Sequence, residues 1–236
     1  FLSVLEDTLA DDTRPEIEVI NLGVGGYNTV HELSILYHMG RQLDPDIVLL
    51  VYFLNDTNAG GTAQAFRPKQ AENELPFWRR HSRLADIIAS GIEQGKAADR
   101  LVSDYISSYK DDSIGWKRSR EALRKARQLA EQEGFELVLV IFPVLWNLTE
   151  DYPFQEIHDK ISSFVQGIDL TVYDLLPAFD GYDGPELWAH PNNQHPSAQG
   201  HQIAGTALAD FLSRTYPSII GHRHHPLLSE NPQSSP

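Results

Sequence analysis

Three short stretches hold residues whose types could do chemistry. Near the end, His190-Pro191-Asn192-Asn193-Gln194-His195-Pro196-Ser197-Ala198-Gln199-Gly200-His201 sets a histidine between two amides and a proline. Imidazole titrates near neutral pH, so a histidine held in one place meets the first requirement of a general base. Early in the chain, Gly23-Val24-Gly25-Gly26-Tyr27-Asn28-Thr29 crowds glycines where a backbone turns tightly or approaches something closely. Between them, Phe53-Leu54-Asn55-Asp56 ends an apolar run in polar side chains. Each stretch alone has a plain structural reading. His195 could be a capped surface-loop residue, Asn55 a turn residue bonding its own backbone, and the glycines a phosphate-binding turn.

The elements around these stretches decide how they are presented. Phe1, Leu2, Leu5 and Leu9 share one face of a helix. Ile17–Asn21 reads as a short strand running into the glycines, and Thr29 reads as the cap of a helix over Val30–Gln42 with Leu33, Leu36 and Tyr37 inward. Asp46–Phe53 and Glu136–Phe142 are near-continuous apolar runs, the pattern of strands buried on both faces of a parallel sheet. Residues 58–83 are irregular and suggest a lid, and Leu84–Tyr109 and Lys117–Glu133 read as helices, the second closed by Gly134. Phe154–Val165 reads as a helix, Leu170–Tyr173 as a strand and Asp174–Gly184 as a loop. The His195 stretch reads as a loop leading to a last helix capped by Ser197. Asp112-Ser113 reads as a helix N-cap before Ile114. Alternation of this kind predicts α/β architecture, a parallel sheet wrapped by helices. Ligands then sit outside the carboxyl ends of the strands, where all three stretches should gather.

The totals narrow the partners. The chain has 236 residues, 41% hydrophobic and 22% charged, as in soluble globular proteins. A formal net charge of −14 argues against nucleic acid and anionic membrane surfaces. There is no cysteine, hence no disulfide or thiolate nucleophile, and no apolar run long enough to span a membrane. The glycine spacing is not the dinucleotide fingerprint. Residues 1–216 are expected to form one domain and 217–236 a mobile tail. His222, His224 and His225 in that tail lack acidic or cysteine partners at ligand spacing, so no metal site is expected.

With these residues in view, the chain resembles the SGNH (GDSL-type) esterase and lipase family. Asn21–Thr29 looks like its glycine block, with Gly26 at the position of the oxyanion-hole glycine. Phe53-Leu54-Asn55-Asp56 looks like its Gly-x-Asn-Asp block, with Asn55 as the oxyanion-hole asparagine and Phe53 in place of the glycine. His195–His201 looks like its histidine block, with His195 as the base. The resemblance implies a three-layer α/β/α flavodoxin-like fold, a serine ester hydrolase working through an acyl-enzyme, and no metal or organic cofactor. The implied substrate is a small-molecule ester or an acylated carbohydrate. A backbone N–H and an asparagine NH₂ are suitable donors to the developing oxyanion.

Two departures accompany it. No Gly-Asp-Ser block occurs in residues 1–236. The nucleophile is therefore expected upstream, the first central strand is expected to be missing, and Ile17–Asn21 should face a gap. The chain by itself is expected to be poorly stable and inactive. The acid that usually precedes the histidine by three residues or two is replaced by Asn192 and Asn193. Asn192 is assigned the orienting role, with Asp180 or Asp183 as acids that could reach in. The two asparagines also motivate a second reading, a non-catalytic carbohydrate-binding module on the same fold.

Overall fold

A computed structural model describes residues 1–10, 17–57, 99–149, 151–191 and 193–221. The lid reading of 58–83, the first part of the Leu84–Tyr109 helix, Asn192 and the three tail histidines lie outside the described residues.

The architecture is α/β. Strands β1 (Ile47–Phe53), β2 (Glu136–Phe142) and β3 (Thr171–Asp174) form a parallel sheet in the order β1-β2-β3. Phe53 stands in register with Phe142, and Ile141 with Asp174, so the strands end together. β2 is central, and Leu137 through Phe142 are all buried. Among the described residues β1 pairs on one side only, and most of its residues are half-buried. The expectation that this run is buried on both faces is therefore corrected. An edge strand leaves one flank of its side chains open.

Strand alternation assigns the two faces. Tyr52 reaches Ser119 on helix α3 (Ile114–Glu133), which packs with α2 (Thr29–His38). Asp174, in register with Ile141, reaches His158 of helix α4 (Gln155–Gln166) on that same face. On the opposite face Phe142 approaches Phe1, and Tyr173 stacks on Phe211 of helix α5 (Ala198–Thr215) with ring centroids 4.3 Å apart. Helix α1 (Leu2–Leu9) lies against α5 and buries Leu5 and Leu9. The two approach closely, since a Cβ at Gly205 would meet Val4 at 2.7 Å.

Several expectations change. Ile17–Asn21 is not a strand, and residues 17–24 have no regular structure. A strand needs a hydrogen-bonding neighbour, and among the described residues none lies beside this segment. Ile17 and Val19 pack partly against the core, whereas Ile20 and Val24 are each 48% exposed. Thr29 does not cap α2. Asn28 does, accepting from the N–H groups of Val30 and His31, and Thr29 is the first helical residue. Tyr37 faces solvent, whereas Leu36 is buried. The Asp174–Gly184 loop contains the 3₁₀ turn Leu176–Phe179. The tail does not begin at 217, because Pro217–Gly221 forms a short helix, α6, with Ile220 buried. Proline at the first helical position favours that start. Ser113 and Ser197 sit at N-cap positions, and Gly134 ends α3 in the left-handed conformation at φ 84°. Among the described residues, no helix is long and apolar enough to cross a membrane.

The start of α3 is pressed onto the turn after β1. A Cβ at Gly115 would fall 1.7 Å from the Thr57 carbonyl oxygen. Gly115→Ala gains up to about 1 kcal/mol of helix propensity but forces a backbone shift that costs about 1–3 kcal/mol or more. The variant is expected to lose net stability in urea unfolding. An unchanged midpoint would show that α3 does not seat here.

Candidate active site

β1 runs directly into a 3₁₀ turn, Leu54–Thr57, which holds Asn55 at the exit of the strand. Asn55 is half-buried, and among the described residues its amide makes no hydrogen bond. Its neighbour Asp56 is buried, 6% exposed, beside Thr29 Oγ1 at 3.1 Å. That contact ties the exit of β1 to the first turn of α2.

Gly26 lies just ahead of α2 in a turn closed by the Tyr27 N–H donating to the Val24 carbonyl at 3.1 Å. Its φ of 83° at the third turn position is that of a type II turn, which needs glycine there. The Gly26 N–H is not used by the turn and is exposed. Thr29, three residues on, thus carries the glycine turn to the same sheet edge as Asn55.

The histidine stretch is not a loop, as expected, but a strand. β4 (Trp188–His190) and β5 (Asn193–Pro196) pair antiparallel, Trp188 opposite Pro196 and His190 opposite Asn193. The Trp188 indole N–H donates to the carbonyl of Leu145, just beyond β2. Because β1 and β2 end in register, the Leu145 anchor sets this hairpin at the sheet edge that Asn55 also follows. Ser197 then caps α5 by accepting from the Gly200 N–H at 3.3 Å.

His195 is exposed, and Asn193 orients it. Asn193 Oδ1 lies 2.6 Å from Nδ1 and 3.2 Å from the backbone N–H of His195. The backbone N–H can only donate, so it faces the amide oxygen toward the ring. That oxygen can only accept, so Nδ1 carries the proton and Nε2 keeps its lone pair. Among the described residues, neither Asp180 nor Asp183 bonds to His195. Asp183 instead caps the 3₁₀ turn Gly184–Leu187. Asp180 lines a cavity of about 210 Å³ with Leu148, Tyr152, Leu176 and Phe179.

Other groups were not legible in the sequence. His158 is fully buried, its Nδ1 2.9 Å and 3.0 Å from the two oxygens of Asp174, and joins α4 to the end of β3. It has no access to solvent. His201 lies under Phe1 with ring centroids 6.3 Å apart, and burial lowers its pKa. Glu32, one turn into α2, has a buried Oε2 with no hydrogen-bond partner. Desolvation pushes its pKa up to about 7, and burial together with the Glu32 charge raises Asp56 well above the usual carboxylate range. Such groups carry no period or motif. Only an acidic residue straight after an apolar strand, Asp56, hinted at them. Among the described residues, no cluster of His, Cys, Asp or Glu could hold a metal ion.

The fold is of the flavodoxin-like α/β class, with its candidate site along the carboxyl edge of a parallel sheet. The sequence model of the GDSL-like Lipase/Acylhydrolase family matches residues 1–203, and the chain belongs to that family. No curated protein and no solved structure matches it. Membership supports acyl-ester hydrolysis in general terms.

The raised carboxyls have a consequence for stability. Glu32 moves from 4.5 unfolded to about 7 folded, so the folded state holds its proton over that range while the unfolded state has lost it. Its contribution is fully present below about pH 4.5 and is lost as pH rises through about 7. Urea unfolding is expected to show stability falling across this window, less steeply in Glu32→Gln. Equal slopes in both proteins would refute the assignment.

Proposed function

We propose that the protein is a serine ester hydrolase that works through an acyl-enzyme, with His195 as base, Gly26 and Asn55 as oxyanion donors and Asn193 orienting the base. The observation that carries the reading is the 2.6 Å contact from Asn193 Oδ1 to His195 Nδ1, which leaves Nε2 free to take a proton.

The steps follow from ester chemistry. A serine hydroxyl attacks the acyl carbon and gives its proton to His195 Nε2. The carbonyl oxygen becomes an oxyanion and accepts from the Gly26 N–H and the Asn55 NH₂, donors worth roughly 3 kcal/mol each in comparable hydrolases. Collapse breaks the ester C–O bond, and His195 returns the proton to the departing alkoxide. Water then attacks the acyl-enzyme by the same route, releasing the acid and restoring the serine. An acetyl or other short acyl group on a small alcohol or sugar is the substrate class put forward.

Asn193 supplies a dipole where an aspartate would supply a charge. It fixes the tautomer, but it stabilises the imidazolium less. In the serine-protease template the Asp→Asn change costs roughly 10⁴ in turnover, largely through the wrong tautomer. Here the tautomer is the productive one, so the penalty should be smaller.

The assay uses the complete product of the gene, because residues 1–236 contain no Gly-Asp-Ser block. Acetyl-ester hydrolysis is expected to fall at least about a thousandfold in His195→Ala and to rise about tenfold in Asn193→Asp. A folded product with no activity, or with activity indifferent to His195, favours the carbohydrate-binding module. The missing charge beside His195 is what would fit that second reading.

A further inference from the structure

The cavity of about 210 Å³ opens between the segment after β2 and the 3₁₀ turn after β3. Both of its walls run to Leu145. On one wall, Leu148 and Thr149 follow Leu145 closely in the chain. On the other, Asp180 leads to Gly184, where a Cβ would fall 2.5 Å from the Leu145 carbonyl oxygen. That same carbonyl accepts from the Trp188 indole and so anchors the hairpin that carries His195. The sheet order is β1-β2-β3, so the segments leaving the strands carry, in turn, Asn55, the Leu145 anchor and the Asp180 wall.

The floor of the cavity is apolar and firmly held. Leu148, Tyr152 and Phe179 are buried. The Tyr152 hydroxyl accepts from the Val144 N–H at 2.9 Å, and its ring stands nearly perpendicular to those of Phe154 and His158, with centroids 5.5 Å and 5.4 Å away. The His158–Asp174 pair joins the two walls, because Asp174 also accepts from the Leu176 N–H at 2.9 Å. The rim is polar. Thr149 gives its hydroxyl proton to Asn147, which leaves its oxygen free to accept. Gln155 gives one amide hydrogen to Asp159 and keeps its oxygen and its other N–H. Asp180 is exposed, and among the described residues no cation or hydrogen-bond donor meets its carboxylate. A carboxylate can only accept. The rim therefore offers mostly acceptors, above a floor of aromatic and aliphatic carbon.

We propose that this cavity is the subsite for the alcohol half of the ester, that this alcohol is a neutral sugar, and that Asp180 selects it. The inference rests on the hydrolase reading above. In that reaction the carbonyl oxygen faces Gly26 and Asn55, while the departing alkoxide takes its proton from His195. The alcohol therefore leaves on the His195 side of the carbonyl, and the cavity adjoins the anchor of the His195 hairpin on the side away from β1. The lining chooses among alcohols. Hydroxyls at the edge of a sugar ring donate to Asp180 and Thr149, and the C–H face of the ring rests on Tyr152 and Phe179. A carboxylate or phosphate on the alcohol is repelled by Asp180. A long alkyl chain has no room, since about 210 Å³ lies below the roughly 300–1,000 Å³ of pockets for drug-sized ligands.

The test uses the complete gene product and two kinds of acetyl ester, monoacetates of the methyl glycosides of glucose, galactose, mannose and xylose on one side and ethyl acetate on the other. The wild-type protein is expected to favour at least one sugar ester about tenfold or more in kcat/KM. Asp180→Ala is expected to lower that preference ten- to a hundredfold, mostly through KM, because a hydrogen bond to a charged acceptor contributes roughly that factor. Thr149→Phe, which fills the rim, is expected to lower it as well. A wild-type protein without the preference, or a preference that survives either substitution, overturns the subsite. Should the wild-type protein hydrolyse neither kind of ester, the hydrolase reading falls, and the four methyl glycosides decide the cavity by themselves through NMR shifts of the Gln155 side-chain amide. Saturable shifts that vanish in Asp180→Ala support a sugar site. Shifts that persist in it, or none with any of the four, refute it.

Discussion

The burial of β2 between β1 and β3 is the constraint on which the rest depends. Residues 137–142 are apolar and buried, and their backbone groups are satisfied by ladders on both sides. Burying such a strand is favourable only if every N–H and C=O finds a partner, which fixes the register of its neighbours. Register aligns the strand exits. From that alignment come the position of Asn55 after β1, the Leu145 carbonyl that receives Trp188 after β2, and the Asp174 carboxylate that receives His158 after β3. The candidate site is built on ends that the core has already lined up.

The site holds its polar groups in two different ways. Asn193 holds His195 through a neutral oxygen whose orientation is set by a backbone N–H of the same histidine. The interaction is local, two residues apart, and survives exposure to water because it does not rely on a long-range field. Asp56 is the reverse case. It is remote in sequence from Thr29, deeply buried, and beside another acid, so its environment penalises ionisation.

The open flank of the sheet belongs to the same account. β1 is apolar enough for a central strand yet pairs on one side only. Ile17–Asn21 has a strand's composition but lies unpaired. Both segments carry the propensity for a ladder, and among the described residues neither has the neighbour that would realise it. Propensity is a statement about how a residue fits a pleated surface, and that surface has to exist first.

Much was determined by the sequence alone. The apolar runs at Ile47–Phe53 and Glu136–Phe142, the amphipathic helices and the caps at Ser197 and Gly134 are local patterns, set by side-chain period and backbone preference. They gave the α/β class and the sheet edge on which to look, and the three motif blocks gave the family to which the chain belongs. Tertiary structure decided the rest. It made Asn28 the cap and sent the Thr29 hydroxyl to Asp56. It paired the His195 segment with Trp188–His190, put Asn193 on the imidazole, and turned Asp183 to a cap elsewhere. These outcomes depend on which polar groups meet once the core has closed. A hydroxyl or carboxyl has several possible partners of similar strength, and only the packed chain removes all but one.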